Sequence, residues 1–133
     1  MINEQILPIN TDSDIITARQ RGRAMAAELG FSGTDQALIA TAISELARNV
    51  IEYAKKGEVL LSVAEQGKRR GIKVIVRDRG PGIADVQQAM QDHFSTGKSL
   101  GLGLPGSKRL MDEFDIASEV GKGTTITVKK WLR

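Results

Sequence analysis

An α+β fold, a two-layer α/β sandwich with a mixed, mainly antiparallel sheet and helices on one face, is predicted by three observations. Two β-rich runs, Val59 to Val63 and Ile72 to Val76, flank Glu65-Gln66-Gly67-Lys68-Arg69-Arg70-Gly71, a hairpin signal. A second pair of runs, Phe114 to Val120 and Thr124 to Trp131, closes around Gly121-Lys122-Gly123. Before either hairpin, the apolar stripe Ile39, Ile43, Leu46, Val50 steps by four, three and four, the helical period. Strand pairs joined by short turns argue for antiparallel neighbours, with the helices packed against one side of them.

Taken in order, Glu4 to Ile9 reads as a short opening strand, ended by Pro8 and Asn10. Asp12 or Ser13 is placed to cap a helix that runs to about Leu29, and Gly30 terminates it. Ser32 or Thr34 caps the next helix, predicted to reach about Tyr53. The first hairpin follows. Asp85 to His93 is then predicted as a short helix and Phe94 to Gly103 as a Gly/Ser/Thr-rich loop. Leu104 to Met111 makes another helix before the closing hairpin. No repeat, linker or low-complexity tract interrupts the chain, so residues 1–133 are expected to form one domain.

Composition narrows the chemistry. Apolar residues make up 41% and charged residues 26%, ordinary for a globular protein, and no apolar run approaches a membrane span. Met1-Ile2-Asn3-Glu4 lacks the basic start of a signal peptide, so a cytoplasmic address and no membrane partner are expected. With no Cys and a single His93, thiolate or histidine zinc sites and a Ser-His-Asp triad are disfavoured. The net charge is only +3, and the aromatics are one Trp, one Tyr and three Phe. That set supplies neither a basic stripe nor a stacking platform, so no nucleic-acid partner is expected.

Four short stretches carry the functional signal: Glu45-Leu46-Ala47-Arg48-Asn49, Asp78-Arg79-Gly80-Pro81-Gly82, Gly101-Leu102-Gly103-Leu104-Pro105-Gly106 and Gly121-Lys122-Gly123-Thr124-Thr125. Glu45 and Asn49 are one helical turn apart, so they project from one side of their helix. At roughly 130° and roughly 90° from the centre of the apolar stripe, they flank the core and stay outside it. A carboxylate beside an amide oxygen suits a proton acceptor and a hard cation. Gly80 and Gly82 allow close backbone approach after a strand that ends in Asp78. Gly101 to Gly106 spells the dinucleotide fingerprint G-x-G-x-x-G, but the polar Ser95-Thr96-Gly97-Lys98-Ser99 precedes it where a buried strand is required. Lys98 and Ser99 similarly mimic a P-loop, whose first glycine falls at Asp92.

In this order and spacing the four boxes resemble those of the GHKL superfamily, which includes gyrase-type ATPases, chaperone N-domains, histidine-kinase catalytic domains and anti-sigma-factor serine kinases. The resemblance covers nearly the whole chain and implies the Bergerat, or histidine-kinase-like ATPase, fold. It implies that ATP is bound through Asn49, Asp78, Gly80, Gly82, Ile83, Lys98, Ser99, Gly101, Leu102, Gly103 and Leu104, with Thr124 or Thr125 beside Asp78. Asn49 would be the Mg²⁺ ligand and Glu45 the catalytic base. A carboxylate at position 78 can accept from the adenine amino group, whereas guanine presents a carbonyl there.

The compact length resembles the anti-sigma-factor kinase branch more than sensor kinases or gyrase-like domains, which carry further helices or larger lids. Ala42 to Val50 and Leu104 to Phe114 look like the switch-kinase type of the bacterial stressosome. That resemblance implies phosphorylation of Ser or Thr on STAS-domain scaffold and antagonist proteins, followed by activation of a PPM-type phosphatase regulator. Two alternatives stand beside it: an anti-sigma factor that uses ATP to sequester a sigma factor, and an ATP-hydrolysing module with water as acceptor.

Overall fold

A computed structural model describes residues 2–80 and 104–133. The helix expected at 85–93 and the loop expected at 94–103 lie outside the described residues. The described elements are β1 (Gln5–Ile9), α1 (Asp12–Leu29), α2 (Gly33–Asn49), a π-helical turn (Val50–Ala54), β2 (Gly57–Gln66), β3 (Arg69–Asp78), α3 (Leu104–Leu110), β4 (Glu113–Glu119) and β5 (Gly123–Trp131). The five strands form one sheet in the order β1-β2-β3-β5-β4. Every neighbouring pair is antiparallel, so the expected mixture reduces to a purely antiparallel sheet among the described residues.

Alternation along the strands decides which face is covered. Leu7 and Ile9, Val59 and Leu61, Ile72, Val74 and Val76, and Ile126 and Val128 all point to one side and are buried. Against them lie Ala18, Met25, Ala26 and Leu29 of α1 and Ile39, Ile43 and Leu46 of α2. The stripe predicted for α2 is thus the core stripe, and its last member, Val50, is 2% exposed at the start of the π-helical turn. The α1–α2 contact is close because Gly22 has no side chain: a Cβ there would stand 2.1 Å from Ile43 Cδ1. The other face of the sheet, which carries Glu58, Lys73, Arg77, Thr125, Thr127 and Lys129, has no described helix over it.

The helix ends follow local chemistry, with one shift. Thr11, not Asp12 or Ser13, is the N-cap of α1, and Asp14 Oδ2 accepts from the Asn10 and Thr11 N–H groups at 2.8 and 3.0 Å. An acid at the third helical position satisfies donors that the helix itself leaves open, which moves the cap one residue upstream. Gly30, at φ 100°, closes α1 in the left-handed conformation, and Ser32 Oγ accepts from Asp35 N to open α2. The first hairpin turns on Gly67 and Lys68 alone, with Gly67 at φ +61° in the first central position.

The chain leaves β1 and enters β2 at the same end of the sheet, since Ile9 pairs with Gly57 and Gly57 with Asp78. The start of α1, the end of α2, the end of β3 and the start of β5 therefore meet at one pole. At the opposite pole Trp131 is clasped by Glu113, which accepts from its Nε1 at 2.6 Å, and by Arg69, whose guanidinium stacks 4.1 Å from the ring centroid.

Candidate functional site

Asp78 ends β3 as the last member of the helix-facing row that begins with Ile72, Val74 and Val76. Its cross-strand partners are Gly57 on β2 and Thr124 on β5, and Thr124 in turn faces Ser118 on β4. Residues directly opposite in antiparallel strands share a face, so Asp78, Thr124 and Ser118 stand side by side. Asp78 Oδ1 accepts from Gly80 N at 2.8 Å, and its other oxygen has no partner among the described residues. Thr124 Oγ1 lies 2.8 Å from Ser118 Oγ, which also reaches the Gly123 carbonyl oxygen at 3.2 Å.

Three glycines let the backbone close around Asp78. A Cβ on Gly57 would stand 2.8 Å from Val50 Cγ1 and 3.1 Å from Asp78 Cβ. One on Gly80 would meet Ala54 Cβ at 2.5 Å, and one on Gly123 would meet the Asp78 carbonyl oxygen at 2.1 Å. Real Cβ atoms do not approach so near, so only glycine fits here, and Gly123 at φ +101° also needs its conformational freedom. Thr125, the other threonine of its box, is opposite Arg77 and faces the bare side of the sheet. Between the two candidates the register selects Thr124 as the neighbour of Asp78. Thr125 lines a cleft with Asn10, Lys56, Glu58 and Arg77 that also reaches Gly57, Asp78 and Arg79 at the strand ends.

Glu45 and Asn49 occupy the last turn of α2, both half-buried, as expected from their angle to the core stripe. Arg48 Nη1 holds Glu45 Oε1 at 2.9 Å, a solvent-accessible pair that orients the carboxylate more than it stabilises the helix. Glu45 also borders a groove between α1 and α2 with Ile15, Ile16, Arg19 and Ser44.

The α-helix expected to reach Tyr53 gives way after Asn49 to the π-helical turn Val50–Ala54. The wider turn delivers Ala54 to Gly80, which couples the end of α2 to the Asp78 turn. It closes on Lys55 at φ 75° and ψ −38°, among the described residues the single non-glycine residue with positive φ.

Of the remaining sequence candidates, Gly82, Ile83, Lys98, Ser99, Gly101, Leu102 and Gly103 lie outside the described residues, and Leu104 is described as the first residue of α3 only. Among the described residues no three His, Cys, Asp or Glu side chains converge as a metal cluster. A divalent ion at Asn49 would therefore rely on phosphate and water oxygens, the mode Mg²⁺ favours. No described helix is long and apolar enough to cross a membrane. Gly57 and Ser118 were not singled out by the sequence reading. Their part is defined only by what stands opposite them, and the available signal was their place in the two hairpins that flank Asp78.

Comparison with known proteins bears on the family and the fold. Residues 34–133 match the family described as histidine kinase-, DNA gyrase B-, and HSP90-like ATPase. Over its full length the chain is 54% identical to the serine/threonine-protein kinase RsbT of Bacillus subtilis (strain 168), and it covers all of that protein. It is 34% identical to an anti-sigma F factor of Thermoanaerobacter sp. (strain X514), over 86% of this chain and 83% of that one. Among solved structures, the nucleotide-free catalytic domain of the histidine kinase ThkA superposes with a TM-score of 0.57 at 14% identity, covering 96% of this chain and 97% of that one. At that identity the likeness speaks for the fold alone.

Proposed function

The chain belongs to the histidine kinase-, DNA gyrase B- and HSP90-like ATPase family, and from that premise we propose that it is a protein serine/threonine kinase of a bacterial sigma-factor partner-switching pathway. Its phosphoryl donor is Mg-ATP. Its substrates are STAS-domain scaffold and antagonist proteins in the cytoplasm, and on release it engages the regulator domain of a PPM-type phosphatase. The observation that carries the nucleotide reading is Asp78, with one oxygen held by Gly80 N and the other without a partner among the described residues, opposite Thr124. Two adjacent acceptors fit an amino-bearing base. The kinase reading draws on the full-length likeness to RsbT.

The donor set fits the groups it would hold. Bound Mg-ATP supplies the phosphoryl group and the cation that offsets its charge. Asp78 and Thr124 hold the base, and Asn49 offers its amide oxygen to the metal. By the family resemblance, Gly80, Gly82 and Ile83 would serve the base, and Lys98, Ser99 and the amides of Gly101, Leu102, Gly103 and Leu104 would hold the phosphates. Glu45 accepts the proton of the partner's hydroxyl through Oε2, the oxygen that Arg48 does not engage. A serine hydroxyl is a weak nucleophile, so positioning it and removing its proton late in transfer is the work left to the protein.

Labelled ATP and a STAS-domain partner test this reading. Glu45→Gln is expected to keep Mg-ATP and partner binding while slowing transfer by about 10²–10⁴. Transfer at the full rate would remove Glu45 from the role. The likeness to anti-sigma F factors favours a second reading, a module that sequesters a sigma factor. Stable sigma-factor binding with no label on any STAS partner would select it over the kinase.

A further inference from the structure

Ser118, Thr124 and Asp78 stand in one cross-strand row, and the contacts of Ser118 with Gly123 and Thr124 constrain the hydroxyl protons between them. Ser118 Oγ is 3.2 Å from the Gly123 carbonyl oxygen and 2.8 Å from Thr124 Oγ1. A carbonyl only accepts, and Ser118 has one hydroxyl proton to give. Both bonds are made together only when Ser118 donates to Gly123 O and Thr124 donates to Ser118 Oγ. Thr124 then presents lone pairs to any further group that meets its oxygen. Across the strand pair, the Asp78 carboxylate is also an acceptor, with Oδ1 already filled by Gly80 N–H at 2.8 Å.

The row therefore ends in two neighbouring acceptors. An exocyclic amino group brings two N–H protons to such a pair. A carbonyl oxygen brings none and leaves both acceptors facing a third lone pair, which is costly where they are half-buried.

We propose that Ser118 is a positioning residue for base selection: by taking the Thr124 proton it makes Thr124 a second determinant, beside Asp78, of amino-purine over oxo-purine nucleotides. This rests on Asp78 being the base-recognising group. Without the Ser118 hydroxyl, Thr124 is free to rotate and donate, so the pair of acceptors becomes one acceptor and one adaptable hydroxyl. A carbonyl at the purine 6-position is then tolerated.

Calorimetric titration of the full chain with ATP and with inosine triphosphate, which share ribose and phosphates, tests the idea. In Ser118→Ala the preference for ATP over inosine triphosphate is expected to fall by about tenfold, one hydrogen bond's worth, chiefly through tighter inosine triphosphate binding. Ser118→Thr, which keeps the hydroxyl, is expected to restore the wild-type ratio. General loosening of the hairpin would weaken both nucleotides and leave their ratio unmoved. If Ser118→Ala keeps the wild-type ratio while Asp78→Asn abolishes the preference, the proton relay is overturned and the reading of Asp78 stands. A wild-type protein that does not distinguish the two nucleotides overturns both. Should Ser118→Ala fail to fold, Thr124→Val removes the second acceptor with its shape kept, and an unchanged ratio there overturns the proposal.

Discussion

At the start of α1, Asp14 takes two backbone N–H groups on one carboxylate oxygen, and those bonds to Asn10 and Thr11 hold its pKa below the ordinary carboxylate value. A carboxyl with a lowered folded pKa adds stability that is fully present above its unfolded titration. That contribution is lost as the pH falls through the folded one. Asp14→Asn is therefore expected to be less stable than wild type in denaturant titrations at neutral pH. In strong acid, where Asp14 is itself neutral, the difference should close. A gap that persists unchanged in acid would mean that the charge plays no part. At the same scale, Thr124 and Thr125 were indistinguishable in sequence because adjacent strand residues differ only in the face they take. That parity is set by the register of β5 on β3, which pairs Asp78 with Thr124.

Among the elements, the π-helical turn is the one that local sequence did not announce. Val50 continues the apolar stripe equally well in an α- or a π-turn, and the contact the turn makes, Ala54 against Gly80, is with a different part of the chain. The turn stores strain at its exit, where Lys55 holds φ 75°. Lys55→Gly should relieve it and raise the Tm by about 3–5 °C, for roughly 1 kcal/mol of relief. Gly80→Ala should act oppositely, because its methyl would stand 2.8 Å from the Ala54 backbone. Thermal melts of the two variants check the pair. A Lys55→Gly protein that melts below wild type would show that the turn is not strained.

For the molecule as a whole, strand alternation and hairpin glycines made most of the sheet legible, since a half-buried strand writes its faces into the sequence. The order of the sheet was less so: β5 rather than β4 lies beside β3, and no local pattern encodes that choice. Asp78 and Gly80 were readable from their boxes. Ser118 and Gly57 acquire their roles only from partners across strands. The clasp at the far pole has a practical bearing. Trp131 is the sole tryptophan and 5% exposed, and it pairs with Gly71, about 23 Å along β3 from Asp78. Its intrinsic fluorescence should shift to the red on unfolding, in step with far-UV circular dichroism if the domain melts as one unit. Saturating ATP should leave the emission of the native protein unchanged, and a nucleotide-dependent shift would reveal communication along the full length of the sheet. An emission unchanged by ATP would make Trp131 a built-in optical gauge of folding, from which ligand-induced stabilisation is read without correction for ligand-induced quenching.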